Sequence, residues 1–304
     1  MEAQGVAIAK DSRSEVRIGC GNPLAFILGP CAIESKDHAL MMARKIKEIC
    51  SALGVPWIYK SSFEKANRTS VKGFRGIGRE AALGALQAVK DEFQVPVVTD
   101  VHSPEDVSAV LNCVDLIQIP AFLCRQTELL ESAGKSGKPV MIKKGQFLHP
   151  DDMRFAAEKV VSAGGPNSPG VMLCERGSCF GYRELVVDFR SLRMMAETGW
   201  PVVYDGTHSV QVMGAAGGSS SGRREFIPDL ARAAVAVGVD AIFLEVHEAP
   251  ERAPSDGPNM LRIEELSGLL SDLKRIADAP LTTRGSSSTS GVPFKVESVL
   301  AAGK

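Results

Sequence analysis

The stretch Val95-Pro96-Val97-Val98-Thr99-Asp100-Val101-His102-Ser103-Pro104-Glu105-Asp106 contains one whole unit of the fold. Val95–Asp100 is short and apolar at nearly every position, as strands buried on both faces are. It runs out into Asp100 and His102. Ser103 is then a helix cap, Pro104 a first-turn proline, and Glu105 and Asp106 are acids at the positive end of the helix dipole.

The same order recurs along the chain. Further strand-like runs are Leu24–Gly29, Trp57–Lys60, Leu116–Pro120, Val140–Lys143, Val171–Cys174, Val202–Asp205 and Ala241–Glu245. Helical spacing of apolar residues fills Asp37–Leu53, Arg79–Phe93, Gln126–Ala133, Asp188–Thr198, Glu225–Gly238 and Ile263–Ala277, and Pro150-Asp151-Asp152 opens another helix. Strands alternating with helices, with no linker between halves, predict an α/β chain folded as a single (β/α)8 TIM barrel over residues 23–279. A doubly wound open sheet is the alternative, but no glycine-rich fingerprint follows the first strand. Residues 1–22 are expected to be a short N-terminal extension covering the bottom of the barrel, and residues 280–304 a flexible tail. The Gly- and Ser-rich stretch Gly214–Gly222 reads as a mobile loop that orders on ligand binding.

Composition narrows the function. The chain has 304 residues, 44% of them hydrophobic, so a sizeable core can form. Its net charge of -1 gives no basic face for nucleic acid. No apolar run approaches the roughly 18 to 20 residues that span a bilayer, and Met1–Glu15 lacks the apolar centre of a signal peptide. Seven scattered cysteines then read as reduced thiols, mostly core filler, in a cytoplasmic protein.

In a barrel, chemistry gathers at the C-terminal ends of the strands. Residues following the apolar runs are Cys31; Lys60 and Ser62; Asp100 and His102; Gln118; Lys143 and Lys144; Glu175 and Arg176; Asp205 and His208; and Glu245 and His247. Contact with solvent accounts for one or two polar strand ends. It does not account for Lys60, Lys65, Arg68, Lys143 and Arg176 converging from different strands. Converging cations in a nearly neutral protein point to a small polyanion carrying phosphate or carboxylate. Cys31, His208, Glu245 and Asp256 form a second group, whose thiol, imidazole and carboxylates suit a divalent transition metal. Taken singly, Cys31 is most simply a buried small hydrophobe and Asp256 a turn aspartate, and no short ligand spacing links them.

The same residues carry a resemblance. Gly29-Pro30-Cys31-Ala32-Ile33-Glu34-Ser35, Lys60 through Ser70, Ile117 through Thr127 and Lys143-Lys144-Gly145-Gln146-Phe147 resemble the 3-deoxy-D-manno-octulosonate 8-phosphate synthases. So do Glu175-Arg176-Gly177, Asp188 through Ser191, Thr207-His208-Ser209-Val210-Gln211 and Glu245 through Pro258. The likeness runs from about residue 24 to 278. It implies a transferase that condenses phosphoenolpyruvate with D-arabinose 5-phosphate and water. The products are the eight-carbon acid phosphate and inorganic phosphate, the latter released by C–O cleavage. The pathway implied is lipopolysaccharide sugar synthesis in Gram-negative bacteria, with a plant cell-wall counterpart. Thr69 stands where the family more often has Ser, and a hydroxyl is kept.

The resemblance also implies roles. Lys60, Lys65, Lys143 and Arg176 would hold phosphoenolpyruvate, helped by Ser62 and Gln118. Asn67, Arg68 and Thr69 would hold the aldose phosphate or its hydroxyls, and Gln211 would add a substrate contact. Arg125 would reach a neighbouring subunit's site in a homotetramer. Cys31 after Gly-Pro places the chain in the metal-dependent class, with Cys31, His208, Glu245 and Asp256 as ligands to a divalent ion such as Zn, Fe or Mn. His208 and Asp256 also belong to the expected catalytic set, Asp205 would support His208, and His102 and His247 are candidate proton relays. The sister heptulosonate 7-phosphate synthases, which take erythrose 4-phosphate, read Lys-Pro-Arg-Thr where this chain has Lys65-Ala66-Asn67-Arg68-Thr69. They are the main alternative. A non-catalytic sugar-phosphate-binding barrel is a further one, which so many intact strand-end cations disfavour.

Overall fold

In the computed structural model, residues 4–67, 73–181, 183–212 and 221–279 are described. Eight parallel strands close on themselves: β1 (Ala25–Gly29), β2 (Trp57–Lys60), β3 (Val97–Asp100), β4 (Leu116–Ile119), β5 (Val140–Lys143), β6 (Val171–Glu175), β7 (Val202–Asp205) and β8 (Ala241–His247). Each pairs with its neighbours in chain order, and β8 pairs with both β7 and β1. Around them lie α1 (Lys36–Leu53), α2 (Arg79–Phe93), α3 (Pro104–Val110), α4 (Thr127–Lys135), α5 (Met153–Gly164), α6 (Arg190–Ala196), α7 (Ile227–Val237) and α8 (Ile263–Asp278). This is the (β/α)8 barrel that the alternation of runs predicts.

Boundaries shift where local chemistry decides them. The ladder of β3 starts at Val97 rather than Val95, because Pro96 has no N–H to give it. A single 3-10 turn, Arg224–Phe226, precedes α7, whose first turn holds Pro228. The last strand runs to His247, two residues past the apolar stretch, so it carries Glu245 and His247 within the ladder. Ser35 and Ser103 cap α1 and α3 through their side-chain oxygens, which accept from the N–H of His38 and Asp106.

Two apolar layers hold the barrel. One joins the outer faces of the strands to the helices. The other fills the barrel with Ile27, Ile58, Val98, Leu116, Met141 and Met172, among others. The N-terminal extension contributes to this inner layer. Gly5–Ile8 and Val16–Gly19 form an antiparallel hairpin, and its Val6, Ile8, Val16 and Ile18 pack with those strand residues. The hairpin thus keeps water from the N-terminal end of the barrel, where the inward side chains would otherwise be wetted. The chemistry is left to the opposite end. There, Ser178–Cys179 pairs with Leu185–Val186, and Gln211–Val212 with Ser221–Gly222. The expected mobile loop falls mostly at 213–220 and the expected tail at 280–304. Both lie outside the described residues, as do Arg68 and Thr69.

Gly29 ends β1 where the chain passes closest to β2. A β-carbon there would sit 2.0 Å from the backbone oxygen of Lys60. Since backbone cannot rotate away as a side chain can, Gly29→Ala is expected to cost about 3 kcal/mol. A thermal melt should show the midpoint falling by several degrees; an unchanged midpoint would mean that the strands can separate there without loss.

Candidate active site

The C-terminal ends of the strands bring Cys31, Lys60, Ser62, Asp100, Gln118, Lys143, Arg176, Asp205, Glu245 and His247 to one mouth, each of them buried. Strand ends fix these side chains more firmly than loops could, because the ladder sets the direction of each one.

Three of the strand-end lysines are already paired. Lys60 Nζ donates to Glu245 Oε1 at 2.9 Å, to Ser62 Oγ at 3.3 Å and to the Cys31 carbonyl at 3.3 Å. Lys143 donates to Asp205 Oδ2 and lies 3.3 Å from the centre of the Phe243 ring. Lys144 is 3.4 Å from Glu175 Oε1. The cationic excess expected of the mouth is therefore concentrated on fewer groups. Lys65 Nζ donates to Ser62 Oγ at 2.9 Å, and Arg176 Nη2 donates to Gln211 Oε1 at 2.8 Å and to the His208 carbonyl at 3.5 Å. Among the described residues neither has an ion-pair partner, and Arg176 Nη1 is buried with no hydrogen-bond partner at all. A buried guanidinium in this state is costly unless an anion completes it. Burial pushes the Arg176 pKa down. Burial pushes Lys65 down too, but the negative groups around it push it up further, and the net displacement is upward.

Cys31, Glu245 and Asp256 form a compact group whose ligating atoms all lie within 4.8 Å of one another. Cys31 Sγ is 3.2 Å from Asp256 Oδ2 and 3.3 Å from Ser255 Oγ. Asp256 is held in the left-handed region, φ 53°, just before Gly257 and Pro258, and accepts from Gln211 Nε2 at 3.3 Å. A thiol and two carboxylates repel one another when ionised. Burial first, and then the Glu245 charge, push the Cys31 thiol well above its ordinary pKa. A divalent cation among the three would offset that repulsion, and Glu245 Oε2 is buried without a hydrogen-bond partner. The donor set therefore fits such an ion. His208 is not within the 4.8 Å group: its Nε2 is 3.8 Å from Glu245 Oε1. Its Nδ1 faces Asp205 Oδ2 at 2.8 Å, and Asp205 Oδ1 accepts from the backbone N–H of both Thr207 and His208. That leaves Nε2 directed away from the supporting carboxylate, as in metal-binding histidines.

The expected aldose-side residues are less enclosed. Asn67 and Arg125 are exposed, on the loops after β2 and β4. Gln118 is buried, and its Oε1 has no hydrogen-bond partner. Phe122, Phe147 and Phe180 are exposed on loops at the same end of the barrel. Sequence reasoning assigned no role to Phe243 or Glu175. The first underlies two lysines. The second accepts from the N–H of Arg176 and Gly177 and from Ser191 Oγ, so it shapes the turn that presents Arg176. An aromatic residue two positions before a strand-end carboxylate was the only available signal for Phe243.

Asp100 and His102 make a hydrogen-bonded pair, Nε2 to Oδ2 at 3.1 Å. Burial pushes His102 down, but its bond to Asp100 and the charges of Asp100 and Asp106 push it up further. Burial likewise pushes Asp100 up, while His102, Lys60 and Lys65 take it well below the usual carboxylate range. The raised imidazole stabilises the fold fully below its unfolded pKa of about 6.5 and loses this as pH rises through the folded value. The depressed carboxylate stabilises above about 3.9 and loses this as pH falls towards its folded value. The stability gap between wild type and Asp100→Asn is thus expected to be widest near pH 5 to 6 and to narrow on either side. Urea unfolding across that range measures it; a gap independent of pH would separate the two groups electrostatically.

A closed barrel with a buried, unpaired guanidinium and a thiol–carboxylate group at its mouth defines a barrel enzyme for anionic substrates. The model of the DAHP synthetase I family matches residues 6–279, and the chain belongs to that family. Within it, the chain is 52% identical over 270 residues to the 2-dehydro-3-deoxyphosphooctonate aldolase of a Synechococcus strain, covering 89% of this chain and 94% of that one. It is 54% identical over 261 residues to the aldolase of the same name from Magnetococcus marinus, covering 86% and 90%. A Cyanothece relative of that name is 53% identical over 265 residues, covering 87% and 96%. The family match begins inside the N-terminal hairpin, ahead of the point where the resemblance in the sequence begins.

Proposed function

We propose that this chain condenses phosphoenolpyruvate with D-arabinose 5-phosphate and water, giving 3-deoxy-D-manno-octulosonate 8-phosphate and inorganic phosphate. The relatives' name, 2-dehydro-3-deoxyphosphooctonate aldolase, refers to the same eight-carbon phosphate. The observation that carries it is Arg176, 4% exposed and with one terminal nitrogen unpartnered, at the same mouth as the buried Lys65, in a barrel about half identical to those relatives.

In this reading Arg176 and Lys65 take the phosphate and carboxylate of phosphoenolpyruvate, Lys60 and Lys143, each paired with a carboxylate, donate hydrogen bonds to it, and Ser62 and Gln118 add neutral hydrogen bonds. Asn67, Arg68 and Thr69 hold the aldose. Fixing two anions side by side is most of the task, because their repulsion otherwise opposes approach of C3 of the enol phosphate to the aldehyde. The new bond joins C3 to the aldehyde carbon, whose oxygen takes a proton. Water adds at C2, and the tetrahedral centre then loses phosphate with its bridging oxygen. Cys31, His208, Glu245 and Asp256 would hold a divalent metal, which supplies Lewis acidity and orientation when bound. Asp205 keeps His208 turned towards it. Gln211 links Arg176 to Asp256 and so couples the anion and metal ends of the site.

We place the reaction in the cytoplasm. Cys31, Cys50, Cys113, Cys124 and Cys174 are free buried thiols, and no helix among the described residues is long and apolar enough to cross a membrane. Self-association, in this reading as a homotetramer, is supported by Phe122, Phe147 and Phe180, exposed apolar rings at the same end of the barrel as Arg125. Arg125→Ala is expected to raise the aldose KM on the order of 10-fold or more, as loss of a charged phosphate contact does, and the phosphoenolpyruvate KM much less. Equal rises in both would remove Arg125 from the aldose site.

The deciding assay is phosphate release from phosphoenolpyruvate with arabinose 5-phosphate or erythrose 4-phosphate. Release with the arabinose compound alone is the expected result. Release only with erythrose 4-phosphate would overturn the substrate assignment.

A further inference from the structure

Beside the Cys31–Glu245–Asp256 group lies a second cluster that the proposed reaction does not use. It consists of Glu34, His38, His247 and Glu248. Glu34 follows β1 and His38 lies in the first turn of α1, both within a few residues of Cys31; His247 ends β8 and Glu248 follows it, just beyond Glu245. Glu34, His38 and His247 offer ligating atoms within 4.8 Å of one another, so a second metal centre is the first reading to test.

Proton placement argues against it. The backbone N–H of Ala249 donates to His247 Nδ1 at 2.9 Å. With Nδ1 accepting from this N–H, the imidazole proton is on Nε2, which donates to Glu34 Oε1 at 2.8 Å, and Glu248 Oε2, 3.2 Å from Nδ1, closes that side of the ring as well. A metal-bound imidazole has the opposite arrangement: one nitrogen binds the ion and the other donates. His247 has neither nitrogen to spare.

The same bonds have a clear mechanical consequence. Glu34–His247 and His38 Nε2–Glu248 Oε2, at 3.0 Å, are two crosslinks between the segment after β1 and the end of β8. The two imidazoles lie against each other, 4.9 Å between centres. His247 is buried and Glu34 only partly so, which shields their bond from water on the imidazole side. Cys31 and Glu245 sit on these same two segments. We propose that Glu34 and His247 are positioning residues that set the separation of Cys31 from Glu245, and thereby the affinity of the site for a divalent ion. This rests on the metal reading given above.

The test is titration of Co²⁺ into the chelator-treated full-length protein, followed by the near-ultraviolet thiolate-to-cobalt absorption and by the bound stoichiometry. Glu34 is partly exposed on a loop, and thermal melting checks that the variants remain folded. Wild type is expected to bind one Co²⁺ with the thiolate band. Glu34→Ala is expected to weaken binding by about 10- to 100-fold, as loss of an outer partner does, with the band recovered at saturation. Glu34→Gln, which keeps an accepting oxygen, should stay within about threefold of wild type. If Glu34→Ala binds Co²⁺ as wild type does, the positioning role is overturned and the metal site stands. If wild type shows no thiolate band, the metal reading itself fails. Two Co²⁺ per wild-type chain, falling to one in His38→Ala, would overturn the proton argument and make the cluster a second metal centre.

Discussion

Lys143→Ala is expected to lower kcat/KM by a factor on the order of 10² or more, the loss seen when a fixed charge leaves a developing transition-state charge unsupported. The expectation comes from where Lys143 sits. It ends β5, is buried, bonds Asp205 and lies on the face of Phe243. Its truncation therefore removes a cation and strands an anion. Asp205 also holds His208 Nδ1, so the lost partner is felt at His208, a proposed metal ligand, as well as at the end of β5. Lys143→Arg keeps the charge but not the compact ammonium on its short approach to the ring, and it should recover only part of the loss. The measurement is steady-state kinetics with each substrate varied in turn. Turnover close to wild type in Lys143→Ala would place it outside the site.

The second large effect concerns the metal. On the proposal that Cys31, His208, Glu245 and Asp256 hold a divalent metal, chelation of the wild-type protein is expected to reduce phosphate release on the order of 10²-fold or more, and a divalent metal to restore it, because a Lewis acid and an orienting charge would be lost together. Cys31→Asn is expected to leave an enzyme with weak metal dependence. The physical reason lies in the packing of Cys31 with Asp256 and Glu245. A neutral amide that can donate to those carboxylates relieves part of the repulsion that a cation would otherwise offset. The check is activity of each protein with chelator and after addition of metal. A variant that remains as chelator-sensitive as wild type would show that Cys31 is not what makes the protein depend on the ion.

Glu175 illustrates how far strand-end residues can differ in task. In sequence it stands beside Arg176 as another charged residue at a strand end. In the structure it receives the N–H of the next two residues, Ser191 Oγ and the Lys144 ammonium. Its acceptor capacity is taken up within the protein. It shapes the turn and leaves the neighbouring guanidinium facing the mouth.

The sequence by itself determined the barrel and the end of it that carries chemistry. Strand periodicity, cap residues and the polar groups after each apolar run are local properties, and local chemistry is what a single chain displays residue by residue. It also determined the family, through motifs such as Gly29-Pro30-Cys31 and Lys143-Lys144-Gly145-Gln146-Phe147 that lie close together in the chain. Only the tertiary structure decided the charge balance of the mouth. Lys60 with Glu245, and Lys143 with Asp205, are pairs 185 and 62 residues apart, and no spacing rule connects them. Once they neutralise each other, Lys65 and Arg176 remain as buried cations with no ion-pair partner among the described residues. The tertiary structure also decided that Cys31 meets Asp256, 225 residues away, and that Glu34 and His247 tie their two segments together. Closure of the barrel is the physical reason: it turns the C-terminal ends of all eight strands to one mouth, where β5 and β7 bring Lys143 to Asp205, and it sets β8 beside β1, so these contacts belong to no single stretch of the chain.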